Sequence, residues 1–219
     1  MPAMLAALPT VTSVSRSAFF GGTLPEAGQN RNTSDDPKRW REHPALRFLS
    51  AEPLRLLLRG SVEQASGEAH PDVLARVRSP ERLVAAVLNT VDDSHKTTSS
   101  RRLDTNVDSI KPLANLMEAA SQEGRAVLLV ADHGHIDTRR AETLKAPDGV
   151  EVKKARYRED DGSALQEHEY RVSSQGAWML SEDDAHLVVL GGERARYSRQ
   201  GSRGEHGGLS LSEVVTPAV

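Results

Sequence analysis

Arg125-Ala126-Val127-Leu128-Leu129-Val130-Ala131-Asp132-His133-Gly134-His135 decides the fold: six apolar residues in succession run straight into a carboxylate and two imidazoles. A run without alternation predicts a strand buried on both faces, as in a parallel sheet covered by helices. Just before it, Ser109–Glu123 places Ile110, Leu113, Leu116 (or Met117) and Ala120 on one face of an amphipathic helix. Gly124 is its natural stop. Upstream, 82–91 (Arg-Leu-Val-Ala-Ala-Val-Leu-Asn-Thr-Val) reads as a second buried strand. Strand, helix and strand together predict an α/β fold, with a mostly parallel sheet flanked by helices.

Both predicted strands end in polar clusters. The first runs into Asp92, Asp93 and His95, and the second into Asp132, His133 and His135. In open α/β sheets ligands bind beyond the carboxyl ends of the strands, so the two clusters are expected to face one site.

Outside this unit the order is looser. Residues 21–37 are rich in Gly, Pro, Asn, Ser and Asp and read as loop. Residues 45–59 read as a Leu- and Arg-rich helix, and 97–108 as a polar loop. The charged stretch 138–162 carries Pro147-Asp148-Gly149 and Asp160-Asp161-Gly162, which predict an insertion outside the core. Glu169–Ser173, His186–Leu190 and Ala195–Ser198 read as short strands, with Gly191-Gly192 as a turn.

Composition narrows the chemistry. The 219 residues contain no cysteine, so thiol nucleophiles, disulfides and cysteine zinc sites are excluded. Any metal must be held by His, Asp, Glu or a hydroxyl. A net charge of -3 argues against a nucleic-acid coat or a polybasic membrane binder. No run approaches the ~18 apolar residues of a membrane helix. Met1–Val11 lacks the basic start of a signal peptide, which leaves a soluble cytoplasmic chain as the expectation.

Four segments carry candidate chemistry. Asp132-His133-Gly134-His135 offers oxygen and nitrogen ligands suited to zinc or manganese, or else makes a polar turn. Asp92-Asp93-Ser94-His95 offers a similar set, or an ordinary acidic loop. In Glu205-His206-Gly207-Gly208 the histidine can reach a site, or stay on the surface. Leu8-Pro9-Thr10-Val11-Thr12-Ser13-Val14-Ser15-Arg16 sets a hydroxyl near a helix start, where amides favour anions, with Arg16 one turn on; a plain helix cap is the alternative.

Taken together, Leu-Pro-Thr-Val-Thr-Ser-Val-Ser-Arg at 8–16, Val-Leu-Asn-Thr-Val-Asp-Asp at 87–93, Ala-Asp-His-Gly-His at 131–135 and His-Gly-Gly-Leu-Ser-Leu-Ser-Glu-Val-Val at 206–215 resemble the alkaline phosphatase superfamily. The order resembles that of its PglZ branch, part of the BREX phage-defence systems of bacteria, with type-two members nearest.

The resemblance implies a metal-dependent phosphatase or phosphodiesterase with an alkaline-phosphatase-like core. Thr12 would be the nucleophile and Arg16 a phosphoryl clamp. Asp132 and His133 would hold one divalent ion, and Asp92 and His206 a second. His95 would be a further ligand, although it stands three residues from Asp92 where the superfamily has four. His135 would be an outer neighbour or a substitute ligand. The cofactor would be zinc, with manganese as the alternative. Substrates would be a phosphorylated small molecule or a nucleic-acid phosphodiester, with other BREX proteins as partners and no membrane. The superfamily also places a metal-binding Asp before the nucleophile segment, and Met1–Val11 has none. On this reading 1–219 is a single partial domain, incomplete at its N-terminus. The alternative function is then an inactive fragment serving as an interaction module of the defence complex.

Overall fold

The computed structural model describes residues 3–24, 31–49, 54–97, 107–173, 186–197 and 204–219. Its elements are β1 (Ala3–Leu5), α1 (Thr12–Gly21), α2 (Asp36–Glu42), β2 (Arg55–Leu57), α3 (Arg59–Val62), α4 (Pro71–Val77), β3 (Val84–Ala86), α5 (Thr90–Thr97) and α6 (Lys111–Gln122). After these come β4 (Ile136–Asp137), β5 (Glu142–Thr143), β6 (Tyr157–Glu159), β7 (Glu169–Ser173), β8 (His186–Leu190), β9 (Ala195–Arg196), β10 (Gly204–Glu205), α7 (Leu211–Val214) and β11 (Val215–Pro217). Helices and strands are mixed, with short parallel pairs at β2–β3 and β5–β9. The large parallel sheet expected from the sequence is not among the described residues. The chain groups into two compact units, one of Met1–Asp35 with Val130–Val219 and one of Asp36–Leu129.

In the unit of 36–129, the expected helix from Ser109 is α6, preceded by a single 3-10 turn at Val107–Ser109. It buries Ala119 and Ala120 against Val77 of α4, with Leu116 and Val84 alongside. Gly124 ends it at φ 65, a conformation that costs glycine nothing extra. The Arg125 guanidinium donates to the carbonyl oxygens of Val77, Ser79 and Glu81, closing the end of α4.

Three expectations for 45–131, the last of them running past the end of this unit, are corrected. The 45–59 run is not one helix: a 3-10 segment at Pro44–Leu49 is followed further on by β2, whose Leu56 is buried. The 82–91 strand is cut short at Ala86, and Asp92 and Asp93 lie in the first turn of α5 rather than at a strand end. Acidic residues favour that first turn because they offset the positive end of the helix dipole. In 126–131, no strand forms beyond one bridge from Val130 to Ala218, and Leu128 is 71% exposed. An apolar run becomes a strand only where neighbouring backbone supplies hydrogen-bond partners, and composition does not reveal those. Most of the 97–108 loop and residues 25–30 lie outside the described residues.

In the other unit, β7 and β8 keep the expected bounds and form an antiparallel sheet in the order β6-β8-β7. Of the third expected strand, Ser198 lies outside the described residues. Val188, Val189 and Leu190 are wholly buried, and Leu187 and Val189 pack with Leu8 and Val214. Elsewhere, β1 pairs antiparallel with β11, from Ala3↔Pro217 to Leu5↔Val215. Most of the expected insertion 138–162 is exposed or half-buried, with three exceptions. Thr138, Arg156 and Arg158 are buried, and β6 pairs with β8. These arginines can be interior because each meets a buried carboxylate, Arg156 on Glu213 and Arg158 on Glu169.

Candidate functional site

The helix α1 begins where Val11, in extended backbone, accepts the amides of Val14 and Ser15. Val11 is the cap and has no polar side chain, so Thr12 is not the capping residue. Its hydroxyl turns instead to the loop 132–135, with Oγ1 3.1 Å from His133 Nε2. Arg16, one turn on, is buried and sets its guanidinium carbon 5.7 Å from the Phe20 ring centroid, a cation–π contact along the same helix.

Three imidazoles gather beside Thr12. His133 and His206 stack with centroids 4.1 Å apart and planes 13° from parallel, and His135 meets each edge-on at 5.1 Å. His133 Nδ1 lies 3.2 Å from the Gly134 carbonyl oxygen, and His206 Nδ1 lies 2.8 Å from that of Thr10. A carbonyl only accepts, so each Nδ1 carries a proton, and in the neutral form of either ring the lone pair is at Nε2. Metal-ligating histidines characteristically donate their other N–H to a carbonyl in this way.

The donors are of kinds a divalent ion takes, and two of their separations are close to those of neighbouring ligands. His133 Nε2 lies 3.1 Å from Thr12 Oγ1 and 3.6 Å from Asp132 Oδ2. For ligands at about 2.0 Å from a tetrahedral zinc, neighbouring donors stand about 3.3 Å apart. Among the described residues no three His, Asp or Glu side chains form a ready cation site. The set counts a hydroxyl as its third donor.

Close backbone contacts hold this arrangement. Thr10 Oγ1 donates to the Gly208 carbonyl and accepts the Gly207 amide, binding the His206 loop to the segment before Thr12. The Gly134 amide donates to the Glu213 carbonyl at 2.9 Å. A Cβ on Gly134 would overlap the Ser212 carbonyl oxygen. Gly134→Ala should therefore cost about 1–3 kcal/mol, measured by urea denaturation, because neither backbone can yield cheaply. An unchanged midpoint would mean the loop is looser than this packing.

A cavity of about 500 Å³ runs beside α1, from Met4, Ala7 and Phe19 to Asp132. Its wall is mostly apolar. Of the other candidates, Asp92 stands in α5 of the other unit, where Arg59 pairs with its neighbour Asp93 at 2.7 Å. His95 lies in the same helix, and its side chain is outside the described residues.

Thr10, Arg156 and Glu213 were missed as parts of the site. Ser210-x-x-Glu213 is legible as a capping box, and the structure has both of its bonds. Nothing in the sequence around Arg156 marks it.

Among the described residues no helix is long and apolar enough to cross a membrane. A search of curated proteins returns no match. The family model described as the BREX system PglZ alkaline phosphatase-like domain matches residues 1–219.

Proposed function

The chain belongs to the PglZ family, the alkaline phosphatase-like domain of BREX systems, and from that premise we propose that it hydrolyses a phosphate ester with Thr12 as nucleophile. Family membership by itself suggests a phosphoesterase-like role. The finer reading is carried by one observation: the Thr12 hydroxyl, at the first turn of a ten-residue helix, sits 3.1 Å from His133 Nε2.

Thr12, Asp132 and His133 would hold a divalent ion, zinc by preference for a mixed oxygen and nitrogen set and manganese as an alternative. Such an ion supplies positive charge that lowers the hydroxyl pKa and offsets charge on the phosphoryl oxygens. The amides at the start of α1 add oriented dipoles for the same oxygens. In the first step the Oγ1–phosphorus bond forms as the bond to the leaving oxygen breaks, and the hydroxyl proton passes through solvent to that oxygen. Water then displaces Oγ1 from phosphorus, restoring the hydroxyl and releasing the phosphoryl product. The mostly apolar cavity beside Asp132 suits an uncharged leaving group, as in a phosphorylated small molecule; a nucleic-acid diester is the alternative substrate. Other BREX proteins are the proposed partners.

The test supplies the chain with zinc or manganese and an aryl phosphate or aryl phosphodiester, quenches in acid and searches for phosphothreonine by mass spectrometry. Metal-dependent release with phosphate on the peptide bearing Thr12 is expected. Release that persists after chelation and leaves Thr12 unmodified would sink the reading.

A further inference from the structure

Glu213 lies outside the proposed ligand set, yet both site loops end on it. Its side chain is wholly buried, and its carboxylate accepts five hydrogen bonds. Oε1 accepts from the Gly208 amide at 2.8 Å and Arg156 Nε at 3.0 Å. Oε2 accepts from Arg156 Nη2 at 2.7 Å, the Ser210 hydroxyl at 2.7 Å and the Ser210 amide at 3.2 Å. The backbone carbonyl of the same residue accepts the Gly134 amide. Gly134 adjoins His133, and Gly208 follows His206 by two residues. The remaining Arg156 donors are taken by the carbonyls of Leu190, Gly192 and Ala195, which fixes the guanidinium to β8, the turn after it and the start of β9.

A capping box at a helix of four residues needs no buried arginine, and burying an ion pair carries a desolvation cost that closing the helix alone does not offset. We propose that Arg156 and Glu213 are positioning residues, which hold Gly134 and Gly208 on one anchor and thereby keep the His133 and His206 rings face to face. Without the anchor the two loops lose the support they share, and the contacts to Thr10 and Thr12 alone should not keep the rings in register. The stretch 138–162 then contributes, through Arg156, to the site itself. The inference rests on the phosphoester reading only in treating these imidazoles as working groups.

The test reads the histidine ring signals of the intact chain by NMR, in Glu213→Gln, Arg156→Lys and, as a control, Glu169→Gln. The control alters the other buried arginine pair at Glu169, whose carboxylate accepts from Arg158, Gln166 and Tyr197 and from neither site loop. In the first two variants the His133 and His206 signals should lose the ring-current shift of the stack, and in the control they should stay. Rings unmoved by Glu213→Gln and Arg156→Lys, or moved equally by Glu169→Gln, would overturn the proposal. A second measurement needs no variant. In the unaltered chain the Gly134 and Gly208 amides should exchange with solvent together, as partners of one anchor, and widely different rates would also overturn it. Neither readout involves turnover, so an inactive chain can pass and an active one can fail.

Discussion

Thr12→Ala is expected to lower kcat for phosphoester hydrolysis by about 10³-fold or more while leaving the fold intact. The substitution removes the one atom that would bond to phosphorus on this reading. Stability should move by no more than about 0.5 kcal/mol, because Thr12 does not cap α1. Its hydroxyl bond runs to His133, which retains its Nδ1 bond to the Gly134 carbonyl. Thr12→Ser should keep a measurable share of turnover, since the reacting oxygen remains. Initial rates for the three chains, with thermal melts of each, decide the matter. Full activity in Thr12→Ala would remove threonine from the mechanism.

Arg158→Met should destabilise the chain by about 3–5 kcal/mol at neutral pH, by leaving a buried carboxylate without its counter-charge. Glu169 is fully buried at its side chain and accepts from Arg158 Nε, Arg158 Nη2, the Gln166 amide and the Tyr197 hydroxyl. Burial alone would raise its pKa. The hydrogen bonds from Arg158, Gln166 and Tyr197 outweigh burial and hold it below the ordinary value of 4.5. A carboxyl depressed on folding adds stability above its unfolded pKa, and this is lost as pH falls through the folded value. Without Arg158 the burial effect is opposed by less, so the Glu169 pKa should rise. The gap between variant and parent should then narrow from pH 7 to about pH 4, because protonation relieves the unpaired charge. Urea titrations at the two pH values read this directly, and a gap that widens on acidification would show that Arg158 does not hold the Glu169 charge.

Local signals were legible where local physics decides. The helix after Thr12, the amphipathic stretch ending at Gly124 and the strands β7 and β8 lie where apolar pattern and turn residues set them. The segments bearing Thr12, His133 and His206 were also legible, as short polar motifs, and the structure brings these three side chains together. Long-range partners were not. Arg156 and Arg158 sit in a stretch whose charge argues for solvent, and only carboxylates 57 and 11 residues away make their burial tolerable. Asp92 and Asp93 suit a strand end and a helix start equally, and helix geometry prevailed. The run 126–131 has strand composition, but a ladder depends on backbone elsewhere in the chain.

The pairing of Arg156 with Glu213 also limits how such a sequence can change by descent. The two side chains are wholly buried and far apart along the chain, so a lineage that loses one must pass through a state with a lone charge in the interior. At about 3–5 kcal/mol that intermediate uses up a large part of the stability of an ordinary domain, so it is seldom viable long enough to receive a compensating change. Inheritance at the two positions is thereby linked. Related chains should keep the arginine and the glutamate together or have lost both, whatever has become of the charged residues around them.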